Sequence, residues 1–253
     1  MSAVSEVLLQ TIKELQSLPS LSPFALAGGT NLAFRFNHRE SQDIDLFCPN
    51  IVGVKHLETI ENEVIQNYGK VNITGIDYPA DKESEQHTFL RFFVNKPCGA
   101  IIKVEIIQNM KMMDAVEIVN EVRLVTTKDL GLFKLISGSS RAAKKDIYDL
   151  DFVTEKIPII DLFESLKVKN QKFDKKEDKN IFNYNHKDCP TIDPLLLLKF
   201  DMDRSIRNKI KPMHSNDDIK IVANGKSWIQ TRSSWISKIR ELYRHLDIKY
   251  PLY

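Results

Sequence analysis

The chain has few cysteines, no long apolar run and almost no net charge, and each shortage excludes a class of protein. Its three cysteines, Cys48, Cys98 and Cys189, are odd in number and far apart, which is not the pattern of a disulfide framework or a zinc site. No segment approaches the roughly 20 apolar residues of a membrane-spanning helix, and the acidic N-terminal stretch is not typical of a signal peptide. We therefore expect a cytoplasmic protein with no membrane partner.

The small net charge of +2 hides an uneven distribution along the 253 residues. Residues 1–164 carry 17 Lys and Arg against 23 Asp and Glu, a balance of −6, whereas residues 165–253 carry 19 against 11, a balance of +8. The acidic part is suited to gather carboxylates around a metal ion, and the basic part is suited to face a polyanion. A lysine-rich solvated surface gives the same count, so both interpretations of the basic part stay open.

Hydrophobic spacing predicts an α/β protein with a mostly helical C-terminal region. Strands are predicted at residues 24–27, 44–47, 71–76, 89–94, 101–107 and 123–125. Helices are predicted at 4–18, 30–36, 57–68, 127–136 and 141–155, with Thr30 and Thr127 as N-terminal caps. A polar segment at 170–187 predicts a linker or long loop, and helices are predicted beyond it at 195–206 and 228–246. The expected division is an α/β domain, 1–165, and a basic helical region, 166–253.

Two aspartates in the segment LAGGTNLAFRFNHRESQDIDLF, residues 26–47, predict a metal site. Asp43 and Asp45 project to the same face of a strand, while Ile44 between them points into the core. Two close carboxylates repel each other unless a cation lies between them, and Mg²⁺ (or Mn²⁺) prefers oxygen ligands that it can share with a triphosphate. Glu105 interrupts an otherwise apolar strand and is the best candidate for the third acid that a second ion requires.

The Gly28-Gly29-Thr30 turn ahead of these acids favours phosphate binding. Glycines let the backbone approach a phosphate closely, and the free N–H groups at the start of the following helix attract an anion. Alone, Gly-Gly-Thr is most often a simple turn, and Asp-x-Asp is most often a solvated strand end. Together, in this order, they favour nucleotidyl transfer.

This segment resembles the nucleotidyltransferase signature of the DNA polymerase beta superfamily. More closely, GGTNLAFRFNHRESQDIDLF and LGLFKLISGSSRAAKKDIYDLDFV are similar to segments of the AbiEii/AbiGii toxin family, the nucleotidyltransferases of type IV toxin–antitoxin systems. The resemblance covers about residues 20–155. It implies a nucleotidyltransferase fold, with a small mixed β-sheet flanked by helices, as the catalytic domain over 1–165.

The resemblance also implies roles for the matching residues. The catalytic residues would be Asp43, Asp45, Glu105, Lys134 and Asp146. Of these, the first three would also bind the metal ions, and Asp146 would position a lysine or the nucleotide. The NTP would be bound by Gly28, Gly29, Thr30, Arg39, Lys134, Arg141 and Lys145. Without the resemblance, Lys134 is an ordinary lysine extending from an amphipathic helix, and Asp146 and Asp149 are ordinary ion-pair partners on a helix surface.

The function expected from these residues is metal-dependent transfer of an NMP from an NTP to an acceptor hydroxyl. The resemblance implies a toxin that acts on tRNA or on a protein and is controlled by a cognate antitoxin, and the basic region favours RNA as the acceptor. Two alternatives stay open. One is a small-molecule nucleotidyltransferase of the antibiotic-modifying type, and the other is a non-catalytic nucleotide-binding or protein-interaction module.

Overall fold

A seven-stranded mixed sheet is the main feature of the computed structural model, which describes residues 2–79, 85–183, 188–201, 218–223 and 225–251. The strands are β1 Ala25–Leu26, β2 Ile44–Phe47, β3 Ile73–Asp77, β4 Phe89–Asn95, β5 Ile101–Ile107, β6 Glu117–Val119 and β7 Val122–Leu124. The helices are α1 Glu6–Ser17, α2 Gly28–Phe36, α3 Val54–Tyr68, α4 Thr127–Arg141, α5 Lys144–Val153, α6 Ile159–Lys172 and α7 Trp228–His245. The predicted α/β class, a mixed sheet flanked by helices, is confirmed.

The strand order across the sheet is β3-β4-β5-β2-β1-β7-β6. The pairs β2–β5 and β1–β7 are parallel, and the other neighbours are antiparallel. This order places the short acidic strand β2 between β5 and β1, near the middle of the sheet. The acids predicted on β2 and β5 therefore lie on adjacent strands.

Alternation along β4 and β5 gives the sheet one buried apolar face and an opposite face, here called the charged face, on which charged side chains lie among apolar ones such as Phe93. The apolar side chains of these two strands are buried: Leu90, Phe92, Val94, Ile102, Val104 and Ile106. The alternate positions Arg91, Lys103 and Glu105 are half-buried on the other face. Ile44 of β2 is fully buried, as predicted, which directs Asp45 to the charged face.

The chain forms two compact units with a boundary that differs from the division at 165/166 drawn from the sequence. The first unit comprises Met1–Thr126 and Phe173–Ile181, and the second comprises Thr127–Lys172 and Phe182–Tyr253. The sequence-based boundary falls inside α6, whose apolar face packs against α4 and α7. Packing of that face keeps α6 in the second unit, although the charge balance changes near residue 165.

The helix after β1 begins two residues earlier than predicted. Its N-cap is Ala27, so α2 starts at Gly28 and not after Thr30. Gly28 has a φ of +62°, a conformation that glycine adopts without steric cost, and the chain turns directly from the strand into the helix there. The prediction of Thr30 as the cap was wrong, because its hydroxyl hydrogen bonds to other residues, described below.

The boundary between α4 and α5 also differs from the prediction. The helix predicted to end near Ile136 continues to Arg141, and the helix predicted to start at Arg141 begins at Lys144. The break lies at Ala142, which has a left-handed φ of +54°. Arg141 is therefore the last residue of α4 and lies close to the first turn of α5.

In the C-terminal region, the predicted helix at 228–246 is confirmed as α7. The indole N–H of Trp235, a fully buried residue of α7, donates to the carbonyl oxygen of Leu197 at 3.0 Å. Leu197 belongs to a 3₁₀ helix, Pro194–Asp201, which replaces the first part of the helix predicted at 195–206. The rest of that helix and residues 184–187 of the predicted linker lie outside the described residues.

Candidate active site

The backbone of Gly28 lies against the carboxylate of Asp45. A Cβ atom added to Gly28 would lie 1.8 Å from Oδ2 of Asp45, a distance at which atoms overlap. The N–H of Ala27 also donates to the carbonyl oxygen of Asp45 at 2.8 Å. The glycine turn and the second aspartate, which the sequence separates by 17 residues, are therefore in direct contact.

Thr30 connects α2 to the residues just before β2. Its side chain is almost completely buried, and its hydroxyl donates to the carbonyl oxygen of Asp43 and hydrogen bonds with the Ser41 hydroxyl at 2.8 Å. These contacts position the acidic strand. The phosphate-binding role of Thr30 stays a prediction.

Gly29 leaves space for a buried arginine. A Cβ atom on Gly29 would lie 2.3 Å from Nη2 of Arg39, and the guanidinium of Arg39 donates from Nη1 to the carbonyl oxygen of Glu40 at 3.0 Å. Arg39 is only 5% exposed. The missing side chain of Gly28 thus leaves space for Asp45, and that of Gly29 leaves space for Arg39.

Asp45 and Glu105 are direct neighbours across the parallel pair β2–β5. Arg91 of β4 is in turn the register partner of Glu105 in the antiparallel pair β4–β5. The guanidinium Nε of Arg91 donates to Oε1 of Glu105 at 2.9 Å. One acid from each central strand and one arginine thus form a row across three strands.

Lys103, two residues before Glu105 on the same face of β5, lies between two of the predicted acids. Its Nζ is 3.2 Å from Oε2 of Glu105 and 3.8 Å from Oδ2 of Asp43. Asp43 remains the most open member of the group, with 57% of its side chain exposed, whereas Glu105 has 16%. The lysine is therefore a positive charge within the acidic group.

The charges of this group hold each other in the ionised state. Burial by itself raises the pKa of Glu105, but Lys103 and Arg91 outweigh that effect and hold the pKa below its usual range. Burial lowers the pKa of Lys103, but the carboxylates of Glu105, Asp43 and Asp45 together raise it above its ordinary value. Lys103 and Glu105 are therefore a charged pair at neutral pH.

The fit of this group to a divalent ion differs from one acid to the next. Asp43 and Asp45 offer the oxygen ligands that Mg²⁺ prefers, and they lie beside the glycine turn. Glu105 pairs with a cation through each of its oxygens. In the described part of the chain, no group of three or more His, Cys, Asp or Glu side chains is arranged to hold a metal ion. The metal-binding roles of all three acids stay predictions.

A second group of predicted residues forms an ion-pair cluster in the second compact unit. Nζ of Lys134 lies 2.8 Å from Oδ1 of Asp146 and 2.9 Å from Oδ2 of Asp149, and both carboxylates are buried. Arg141, at the end of α4, donates to both carboxylate oxygens of Asp146. The structure thus brings together Lys134, Arg141 and Asp146, and it adds Asp149, while Lys145 lies half-buried on α5.

The cluster keeps Asp146 ionised inside the protein. Burial by itself raises the pKa of Asp146, but Lys134 and Arg141 reverse that effect and hold the pKa below the usual value for aspartate. The alternative of an ordinary surface ion pair does not describe this cluster, because the side chain of Asp146 is 1% exposed and that of Lys134 is 11% exposed.

Two residues that contact the predicted acids, Lys103 and Arg91, were not identified as site residues from the sequence. The signal was present, because each interrupts an apolar strand at a position that alternation assigns to the face of Glu105. Their pairing with Glu105 depends on the register between strands, which the sequence pattern did not specify.

None of the described helices is both long enough and apolar enough to cross a membrane. Two solved structures resemble the chain at low identity. An antigenic nucleotidyltransferase-like protein from Paracoccidioides brasiliensis is 16% identical, with a TM-score of 0.42, over 67% of this chain and 90% of that one. MenT4, a nucleotidyltransferase toxin from Mycobacterium tuberculosis H37Rv, is 14% identical, with a TM-score of 0.48, over 95% of this chain and 83% of that one. No curated protein sequence matches significantly.

The family assignment comes from a match that covers most of the chain. The model of the family described as "Nucleotidyl transferase AbiEii toxin, Type IV TA system" matches residues 13–222. The match includes the glycine turn, the acids of β2 and β5, and the Lys134–Asp146 cluster. The chain belongs to the AbiEii nucleotidyltransferase toxin family.

Proposed function

We propose that this chain is a divalent-metal-dependent nucleotidyltransferase that transfers an NMP from an NTP to a hydroxyl group of RNA, with tRNA as the favoured acceptor. The observation that carries the proposal is the contact between Gly28 and Asp45, next to Asp43 and in register with Glu105. It joins an anion-binding turn to acids of a kind that hold Mg²⁺.

In the proposed reaction, the acceptor oxygen bonds to the α-phosphorus, the bond from that phosphorus to the bridging oxygen breaks, and pyrophosphate leaves. The hydroxyl proton passes to solvent. Such a reaction depends mainly on positioning and charge neutralisation, which glycines, acids and lysines supply. Gly28 and Gly29 would present backbone N–H groups to the phosphates.

A divalent ion would be held by Asp43 and Asp45, and it would offset negative charge on the α-phosphate and the departing pyrophosphate. Thr30 of α2 would help Asp43 to hold the ion, because its hydroxyl donates to the carbonyl oxygen of Asp43 and fixes the backbone there. The close approach of Gly28 limits the positions that the carboxylate of Asp45 can take.

The proposal of RNA as acceptor rests on charge. Residues 165–253 carry an excess of eight basic residues. Arg240 and Arg244 of α7 are exposed and lie four residues apart, which places them on one side of the helix. Exposed arginines with this spacing can contact successive phosphates of a polyanion.

The family description places its members in type IV toxin–antitoxin systems, which implies a cognate antitoxin. NTP donors and tRNA are found together in the cytoplasm, so we propose that the protein acts there. Growth inhibition on expression, relieved by the antitoxin, is the expected cellular consequence.

The test is incubation of the full-length chain with each of the four α-³²P-labelled NTPs, Mg²⁺ or Mn²⁺, and total cellular RNA and protein. A labelled tRNA band on a denaturing gel is the expected result. The matched controls are Asp43→Ala and Asp45→Ala, which remove a carboxylate at or beside β2 without touching the apolar core. Both should lose labelling while keeping the far-ultraviolet circular dichroism of the folded protein.

Other outcomes would change the proposal in defined ways. Labelled protein without labelled RNA would show that the acceptor is a protein and not RNA. Labelling of a small hydroxyl compound alone would indicate the antibiotic-modifying type of enzyme. Tight NTP binding with no release of pyrophosphate under either metal would indicate a non-catalytic module, and full activity of Asp45→Ala would refute the assignment of the site.

A further inference from the structure

The carboxylate of Glu105 pairs with two cationic side chains, Arg91 and Lys103. Arg91 donates to Oε1 at 2.9 Å, and Nζ of Lys103 lies 3.2 Å from Oε2. A carboxylate that binds a metal ion must turn at least one oxygen towards that ion. Glu105 would therefore have to break one of these pairs, each of which lies on a half-buried sheet face.

Lys103 lies between Glu105 and Asp43, the exposed aspartate just before β2. Its Nζ is 3.8 Å from Oδ2 of Asp43, and 31% of its side chain is exposed. Because Lys103 stands directly before Val104 on β5, and Val104 is in register with Ile44, its side chain emerges beside Asp43. The register thus places the side chain of Lys103 on the same face as the acids, beside Asp43.

A site built from three acids needs positive charge close to each of them. Two divalent ions about 4 Å apart are the usual source in two-metal phosphoryl transfer. Here one positive charge is already attached to the chain, between two of the three acids. Arg91 supplies another on the outer side of Glu105, where it also lies 3.8 Å from Asp77.

We propose that Lys103 is a positioning residue that supplies one of the two cationic charges at this site, so that Asp43 and Asp45 hold a single divalent ion. In this arrangement Glu105 binds no metal. It holds the ammonium group of Lys103 against Asp43 from one side, and Arg91 holds Glu105 from the other. This inference rests on the proposed function and specifies the cations used at the same site.

The arrangement has a consequence that a purely structural lysine would not have. A fixed ammonium group next to Asp43 repels a divalent ion bound there, so the lysine weakens metal binding while it neutralises charge during transfer. Removal of the charge should therefore tighten metal binding and slow transfer. Replacement of a lysine with a merely structural role would not slow transfer in a folded variant whose metal site is full.

The first experiment measures binding of Mn²⁺ alone to the full-length chain by electron paramagnetic resonance, which counts free Mn²⁺ directly. We expect one ion per chain in the wild type, none in Asp45→Asn, and one in Glu105→Gln. Lys103→Met, which keeps side-chain length and removes the charge, should bind its ion about fivefold more tightly. Lys103→Arg, which keeps the charge, should bind it as the wild type does.

The second experiment measures kcat for transfer at saturating Mn²⁺ and NTP. Lys103→Met should lower kcat by about 100-fold although its metal site is full, and Lys103→Arg should recover much of that loss. The thermal midpoint of each variant shows whether it is folded. Glu105→Gln should lower kcat less than Lys103→Met, because Lys103 keeps its charge and the amide oxygen of glutamine can still accept a hydrogen bond from it.

Two bound Mn²⁺ in the wild type, or loss of an ion in Glu105→Gln, would overturn the proposal and show that Glu105 is a metal ligand. Unchanged or weaker Mn²⁺ binding in Lys103→Met would also overturn it. These binding results do not depend on an acceptor. If the wild type binds one Mn²⁺ as expected and transfers nothing, the proposed function fails while the charge arrangement stands.

Discussion

The backbone of Gly28, which carries no side chain, contacts the carboxylate of Asp45. The space between them is too small for a Cβ atom, which would lie 1.8 Å from Oδ2 and 2.8 Å from Cγ of Asp45. The φ of +62° at Gly28 adds a second requirement for glycine. The two motifs recognised in the sequence are therefore one structural unit.

Gly28→Ala should abolish the proposed nucleotidyl transfer. The new methyl group displaces the carboxylate of Asp45, and misplacement of a reacting group by about 1 Å commonly lowers a rate by about 100-fold. The backbone strain adds a cost of about 1–2 kcal/mol to the folded state. The measurements are kcat for transfer and the free energy of unfolding by urea denaturation.

Gly99→Ala is the matched control for this prediction. Gly99 has a φ of +82° but no atom within 4 Å of an added Cβ, so alanine there meets strain without a clash. This variant should lose stability and keep its activity. Equal loss of activity in both variants would show that the contact with Asp45 does not matter.

Thr30→Val should destabilise the protein and impair transfer without touching a charged group. Valine keeps the shape of threonine but lacks the buried hydroxyl that donates to the carbonyl oxygen of Asp43. Loss of a buried hydrogen bond costs about 1–3 kcal/mol. Thr30→Ser keeps the hydroxyl and should keep most of the activity, whereas an active Thr30→Val would contradict the positioning role.

Asp146→Asn should destabilise the second compact unit. It leaves the buried ammonium of Lys134 paired with Asp149 and removes the charged acceptor of three hydrogen bonds from Arg141. Breaking a buried ion pair from one side commonly costs about 3–5 kcal/mol. Asp161→Asn, at an exposed position in the first turn of α6, should lower the thermal midpoint only slightly, because it loses only a favourable interaction with the helix N-terminus.

The contribution of Asp146 should depend on pH with a defined sign. Its pKa in the folded protein lies below its ordinary value, so its ion pairs stabilise the fold fully above the unfolded-state pKa of about 3.9. That stabilisation is lost as the pH falls through the lower, folded-state pKa. The difference in unfolding free energy between wild type and Asp146→Asn should be constant from pH 5 to 7 and should shrink below about pH 4.

Arg240→Ala combined with Arg244→Ala should weaken RNA binding equally for different sequences. If each arginine contacts one phosphate, the slope of log affinity against log salt should become shallower by about 1.5–2. Mn²⁺ binding at Asp43 and Asp45 should not change. If the affinity for RNA and its salt dependence do not change, α7 is not part of the proposed RNA-binding surface.

Much of the first unit was predictable because its signals are local. Alternation on β4 and β5 and the turn from β1 into a helix at the glycines depend on residues near each other in the chain, and the structure has both. The predicted cap at Thr30 was wrong because the hydroxyl has a better acceptor in Asp43, 13 residues away. The predicted start of α5 was wrong because the chain turns at Ala142. This residue adopts a left-handed conformation although it is not a glycine, so residue type did not indicate the turn.

The sequence by itself determined the α/β class and the family and supplied the candidate acids, because residue type and short-range spacing carry that information. The tertiary structure decided which charges meet. The register of β2 against β5 sets Asp45 beside Glu105 and brings Lys103 to Asp43, and the turn at Ala142 brings Arg141 to Asp146. Pairing between distant segments depends on how whole elements pack, and spacing along the chain does not encode it.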